Sequence, residues 1–194
     1  IGYKWGDKML DLKSLVERFF FYIGAEDIEI YNEFSFQHEL GIFLRKELEG
    51  YRIQFERNVS YFSVGKRTIK KEIDISIFNE DKSERYAIEL KHPLNGQYPE
   101  QMYSFVKDIK FMEELKESGF TKTAVVVLVS NRPFYEGRSN QGIYRYFREE
   151  YRVYGEIYKP TGAMKGKESI VLKGQYNFKW QSLEDNKKYF MIEI

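Results

Sequence analysis

Cysteine is absent from the 194 residues, and histidine occurs only twice. Disulfides are therefore excluded, and neither a thiolate nor a multi-histidine zinc site can be built. Any metal would be held by oxygen ligands, which selects Mg²⁺ or Mn²⁺. Long apolar runs are also missing. The cluster Phe19-Phe20-Phe21-Tyr22-Ile23 follows Glu17-Arg18 and falls far short of the roughly 20 residues of a membrane span. Nothing has the form of a signal peptide, so a cytoplasmic protein without membrane contact is the simplest expectation. An excess of one charge is lacking too: the net charge is +1. Its distribution is uneven, with six basic and ten acidic residues in 1–50 against ten basic and five acidic in 132–179. A solvated charged surface accounts for such polarity as readily as a phosphate-binding face does.

What is present is an ordinary globular composition, 42% hydrophobic and 31% charged, with 16 Tyr and 16 Phe. Most of these rings are assigned to the core, although aromatics also stack on bases. The length suits one domain with a substantial core.

The chain is organised around Ile69–Lys91, which reads as two extended runs joined by the polar turn Asn79–Ser83. In Ile73-Asp74-Ile75-Ser76-Ile77-Phe78 a carboxylate stands alone among β-branched residues, a setting that disfavours it. In Arg85–Lys91 the period of two puts Tyr86, Ile88 and Leu90 on one face and Ala87, Glu89 and Lys91 on the other. A solvated sheet face would explain Glu89 and Lys91 taken alone. Adjacent strands would project Asp74, Glu89 and Lys91 from one open face, as a metal site with a positioned lysine.

At these residues the chain resembles the PD-(D/E)xK nuclease superfamily of restriction endonucleases, Holliday junction resolvases and RecB-type nucleases. Asp74 matches its lone aspartate and Glu89-Leu90-Lys91 its (D/E)xK tripeptide; Ile73 stands where proline is frequent. The resemblance implies an α/β fold with a restriction endonuclease-like core, a mixed central sheet flanked by helices. Asp74, Glu89 and the Leu90 carbonyl would hold Mg²⁺ or Mn²⁺, and Lys91 would orient or deprotonate the attacking water. A helix before the sheet often donates a further carboxylate in that superfamily. The role is carried to Glu39, with Glu33 as the alternate. Gln101 looks like the glutamine of the RecB-type QxxxY motif, with Phe105 replacing its tyrosine.

The flanking elements follow the same order. Met9, Leu12, Leu15, Val16 and Phe19 predict a helix over 8–24, ended by Gly24. A second helix is predicted over 35–49, capped by Ser35. A strand over 51–64 precedes the central hairpin, and a long helix follows from about Pro99 to Gly119. The apolar run 121–130 suits a central strand covered on both faces. His38 and His92 read as incidental, although His92 directly follows Lys91. A basic cluster, Lys66, Arg67, Lys70 and Lys71, precedes the first hairpin strand; it is either solvated or suited to phosphate contact. In 132–158, Tyr144, Phe147, Tyr151 and Tyr154 recur at helical spacings, with Arg145, Arg148 and Arg152 along another side and Arg132 and Arg138 in the preceding loop. A basic face tracking phosphates competes there with a core stripe and solvated arginines. Residues 161–169 are one residue short of a phosphate loop between the glycines and lack its Ser or Thr after Lys167. The extended runs 169–180 and 189–194 are expected to add edge strands.

The expected organisation is a single nuclease-like domain over 1–194, with an N-terminal helical lead-in (1–34), a catalytic core (35–131) and a C-terminal elaboration of helix and strands (132–194). The expected function is Mg²⁺-dependent endonucleolytic hydrolysis of DNA, in a restriction or defence setting, with DNA as partner and a homodimer compatible with double-strand cleavage. The alternative is an inactive module of the same fold that binds nucleic acid or a partner protein.

Overall fold

The alternation Ile73, Ile75, Ile77 and its counterpart in Tyr86–Leu90 produce two long, paired strands at the centre of the chain. In the computed structural model, which describes residues 9–194, these are β2 (Glu72–Phe78) and β3 (Arg85–Lys91). Ahead of them come helices α1 (Leu12–Ala25) and α2 (Glu33–Glu47) and strand β1 (Arg52–Asn58). After them come the long helix α3 (Tyr98–Glu117) and strand β4 (Lys122–Val129). The C-terminal third holds a short helix α4 (Tyr144–Arg148) and strands β5 (Arg152–Tyr158), β6 (Ser169–Asn177), β7 (Gln181–Ser182) and β8 (Lys188–Glu193).

The main sheet is mixed, in the order β1-β2-β3-β4-β8-β7. β1, β2 and β3 form an antiparallel meander; β3 and β4 are parallel, with α3 as the connection such a pair requires. The fold is thus α/β, with helices on both faces of the sheet. Alternation along β4 explains its unbroken apolar run. Ala124, Val126 and Leu128 join Ile75, Ile88 and Leu90 beneath α1 and α2. Val125, Val127 and Val129 join Ala87 and Phe190 beneath Phe105, Ile109 and Met112 of α3.

Several sequence-based boundaries move for physical reasons. The helix predicted over 8–24 starts at Leu12, where the Asp11 carboxylate accepts from Ser14 N at 3.0 Å; residue 8 lies outside the described residues. The strand predicted over 51–64 stops at Asn58. That side chain accepts from Ser60 N at 3.0 Å and opens a 3₁₀ turn that ends with Ser63 at φ 56°. In 132–158 the α-helix is confined to Tyr144–Arg148, so the four aromatics do not form one stripe. The C-terminal run 188–193 is not an edge: β8 lies between β4 and β7. β5 and β6 leave the main sheet as a separate ribbon. The ribbon is fastened across α3 by buried Glu113, whose Oε1 accepts from Lys173 N and Gly174 N at 2.8 Å and from the Tyr176 hydroxyl at 2.9 Å.

Candidate active site

The antiparallel ladder between β2 and β3 ends at the pair Ile75–Ile88, which leaves Asp74 opposite Glu89. Side chains take over where the backbone bonds stop. Asp74 N donates to Glu89 Oε1 at 3.1 Å, and Leu90 N donates to Asp74 Oδ2 at 2.8 Å. The two carboxylates thereby finish the pairing of the strands that carry them, which fixes their orientation. The expected open face does not exist here. α3 covers it, Glu89 is fully buried, and Asp108 of α3 is 1% exposed.

Two lysines stand among these acids. Lys91 Nζ lies 3.3 Å from Glu33 Oε1 and 3.5 Å from Asp108 Oδ2. Lys70 Nζ pairs with Glu89 Oε2 and, at 2.9 Å, with Asp108 Oδ1. Asp108 Oδ2 is buried and, among the described residues, accepts no hydrogen bond. Four carboxylates face two ammonium groups, so the cluster holds more negative than positive charge.

Electrostatics follow from that excess. Burial pushes the Asp74 carboxyl up to about 6, against the attraction of Lys70, the Leu90 amide and Lys91. Glu89 is raised well above the usual carboxylate range, by burial first and then by repulsion from Asp74 and Asp108. For Lys91 burial acts downward, but Asp108 and Glu33 outweigh it, and its proton is held more tightly than in water. Lys70 is raised in the same way by Asp108, Glu89 and Asp74. Both lysines are therefore cations at neutral pH. Lys91 can orient a water or meet a phosphate, but as a cation it cannot deprotonate the water.

Of the predicted residues, Asp74, Glu89 and Lys91 come together, and Leu90 enters through its amide at Asp74. Glu39 does not join them. It lies six residues beyond Glu33, about two-thirds of a turn off that face of α2, and lines a shallow groove with Tyr31, Phe34, His38 and Phe55. Its alternate, Glu33, is the one that reaches Lys91, and it also accepts from His92 N at 3.2 Å. The reason is the helix start. Asn32, not Ser35, is the cap: its side chain accepts from Ser35 N at 2.7 Å while the Ser35 hydroxyl donates to Asn32 O at 2.8 Å. Glu33 then sits in the first turn, where a carboxylate is favoured. One turn on, the Gln37 amide donates to Asp74 O at 2.8 Å and docks α2 on β2.

Gln101 donates to Asn95 Oδ1 at 3.2 Å and, among the described residues, hydrogen-bonds no carboxylate, although it lies two turns before Asp108 on the same side of α3. His92 is buried, with Nδ1 3.0 Å from Leu128 O; burial lowers its pKa. The basic residues separate into groups. Lys66, Arg67, Lys71 and Arg138 are exposed. Lys70 turns inward and is a member of the site, not a surface contact. Arg132 pairs with Glu136 at 2.5 Å, and Arg145 bonds the Tyr146 hydroxyl at 2.8 Å. Arg148 is structural: Nε donates to Pro133 O at 3.0 Å and Nη1 to Ser139 O at 2.6 Å.

Asp108 escaped sequence reasoning, and Lys70 entered it as a member of the basic cluster for phosphate contact, not as a partner of Glu89. A signal existed for Asp108, which falls in the buried arc Phe105, Ile109, Met112 of an amphipathic helix, where an acid requires a partner. None existed for Lys70. A cavity of about 780 Å³ lies elsewhere, between the end of α1 and the β7–β8 turn, and is lined by none of these residues. The site is identified by its chemistry and not by its volume.

The chain matches no family model, no curated protein and no solved structure. Among the described residues, no group of three or more His, Asp or Glu side chains converges to hold a metal ion. Each lysine bridges two of the acids. In kind, the donors still suit a hard divalent cation: they are oxygens, in negative excess, and Asp108 has one buried oxygen without a hydrogen bond among the described residues.

Proposed function

We propose that this protein is a metal-dependent phosphodiesterase acting on DNA, of the PD-(D/E)xK kind. The observation that carries the reading is the pairing of half-buried Asp74 with fully buried Glu89 across the end of a strand ladder, both raised in pKa, with a protonated Lys91 two residues along the same strand face. Raised carboxylates side by side are a common mark of a functional site and cost stability unless a cation offsets them.

Asp74, Glu89 and the Leu90 carbonyl would hold Mg²⁺ or Mn²⁺. The ion would supply Lewis-acid charge at a phosphoryl oxygen and make its bound water more acidic. Lys91 offers a fixed positive charge where negative charge develops on the phosphate. Glu33 and Asp108 position that ammonium from two elements. The exposed Lys66, Arg67 and Lys71 would contact the DNA backbone without reading sequence.

A second reading, a non-catalytic nucleic-acid-binding module, draws on one observation: Lys70 already neutralises Glu89. The two separate on incubation with supercoiled, linear and single-stranded DNA in Mg²⁺, Mn²⁺ or EDTA. The enzyme reading expects nicking or fragmentation in Mg²⁺ or Mn²⁺ and none in EDTA. Binding to DNA without cleavage under any condition would favour the module.

A further inference from the structure

Among the described residues, Lys70 is the one cation paired with Glu89, and it arrives from outside the sheet. It belongs to the irregular segment between Ser63 and Lys71, which carries exposed Lys66, Arg67, Ile69 and Lys71. Its hydrogen bonds to the rest of the fold include Ile69 N to Glu114 Oε2 at 2.7 Å and Val59 N to Lys71 O at 2.8 Å. The Lys70 side chain remains 23% exposed, so a route to solvent is open, whereas Glu89 and Asp108 are closed off at 0% and 2%.

Both oxygens of Glu89 are engaged, Oε1 by the Asp74 amide and Oε2 by the Lys70 ammonium. A divalent ion drawn to Glu89 meets a positive charge already seated there, and like charges at one oxygen repel. The ion and the ammonium therefore compete. The second anchor of Lys70, Asp108 Oδ1 at 2.9 Å, belongs to a carboxylate whose other oxygen accepts no hydrogen bond among the described residues. That acid stays behind when the ammonium leaves.

We propose that Lys70 is a tethered, displaceable cation: it balances Glu89 and Asp108 in the metal-free protein and must swing out to solvent when a divalent ion binds at Asp74 and Glu89. The proposal rests on the metal reading above and assigns it a regulator. Metal loading is opposed by the 63–71 segment, and anything that draws that basic segment outward favours loading.

The test is calorimetric titration of the full chain with Mn²⁺, comparing the parent protein with Lys70→Met, which keeps the aliphatic stem, and Lys70→Arg, which keeps the charge. Lys70→Met should bind roughly tenfold tighter or more, and Lys70→Arg no tighter than the parent. Equal or weaker binding by Lys70→Met overturns the proposal while leaving the metal reading intact. Absence of binding by all three overturns both. A measurement on the unsubstituted protein removes dependence on folding of the variants: amine-reactive labelling read by mass spectrometry, with and without Mn²⁺. Lys70 labelling should rise several-fold with the ion, with Lys13, exposed on α1, as the reference. Unchanged Lys70 labelling at saturating, calorimetrically verified Mn²⁺ contradicts displacement.

Discussion

Replacing Asp74 with asparagine should stabilise the metal-free protein at neutral and alkaline pH, because the native carboxylate is held against its preference. Its pKa in the fold is about 6, against an ordinary value of 3.8. Each pH unit between the two is worth about 1.4 kcal/mol, so the full difference is roughly 3 kcal/mol. The sign follows from proton uptake. The folded chain binds the Asp74 proton more readily than the unfolded chain does, so the stability tied to this group is complete below about pH 4 and is lost as pH rises through about 6. Asparagine has no charge to lose and keeps an oxygen for the Leu90 amide, so its profile lacks this pH dependence. Asp74→Asn should therefore exceed the parent by roughly 3 kcal/mol at pH 8, or about 6–12 °C in Tm for a chain of this size. The gap should close below pH 4. Thermal or urea unfolding from pH 4 to 8 in EDTA measures it. A variant that is less stable than the parent at pH 8, or a gap that does not narrow on acidification, would refute the electrostatic account of the pair.

Other substitutions test the remaining roles. Lys91→Ala should cut Mg²⁺-dependent cleavage roughly 10²–10³-fold while Mn²⁺ affinity by calorimetry stays close to the parent value. Glu33→Ala should lower the cleavage rate and Glu39→Ala should leave it near the parent value, because Glu33 alone of the two reaches Lys91. Substituting Lys66, Arg67 and Lys71 together by alanine should reduce the slope of log DNA affinity against log salt by about 3. Arg148→Ala should cost about 1–3 kcal/mol of stability and leave that slope unchanged, since its guanidinium is spent on the Pro133 and Ser139 carbonyls.

The α/β class was legible because its periods are clean. Alternation through Ile73–Ile77 and Tyr86–Leu90 specifies two strands, and the continuous apolar run at 122–129 specifies a strand with helices on both faces. The same alternation is why Asp74, Glu89 and Lys91 could be picked out together. Residues outside that period were harder. The choice of Glu39 over Glu33 turned on a helix start misplaced by two residues, because a serine at the third position after Asn32 completes the cap in place of the usual acid. Asp108 was hidden as one more polar residue on a long helix, and its significance needed the register of α3 over β3. Lys70 comes from an irregular loop, where no periodicity tells a solvent-facing lysine from one that folds back onto a buried acid. The position of β8 inside the sheet depends on pairing with residues 59 to 69 positions away, which strand propensity does not encode.

The central claim is that Asp74 and Glu89 form a divalent-cation site, and direct Mn²⁺ binding tests it most closely. Calorimetric or spin-resonance titration of the unsubstituted chain should show saturable Mn²⁺ binding that Mg²⁺ displaces and that Asp74→Ala abolishes. A chain that binds no Mn²⁺, or one that binds it equally well without the Asp74 carboxylate, would contradict the account.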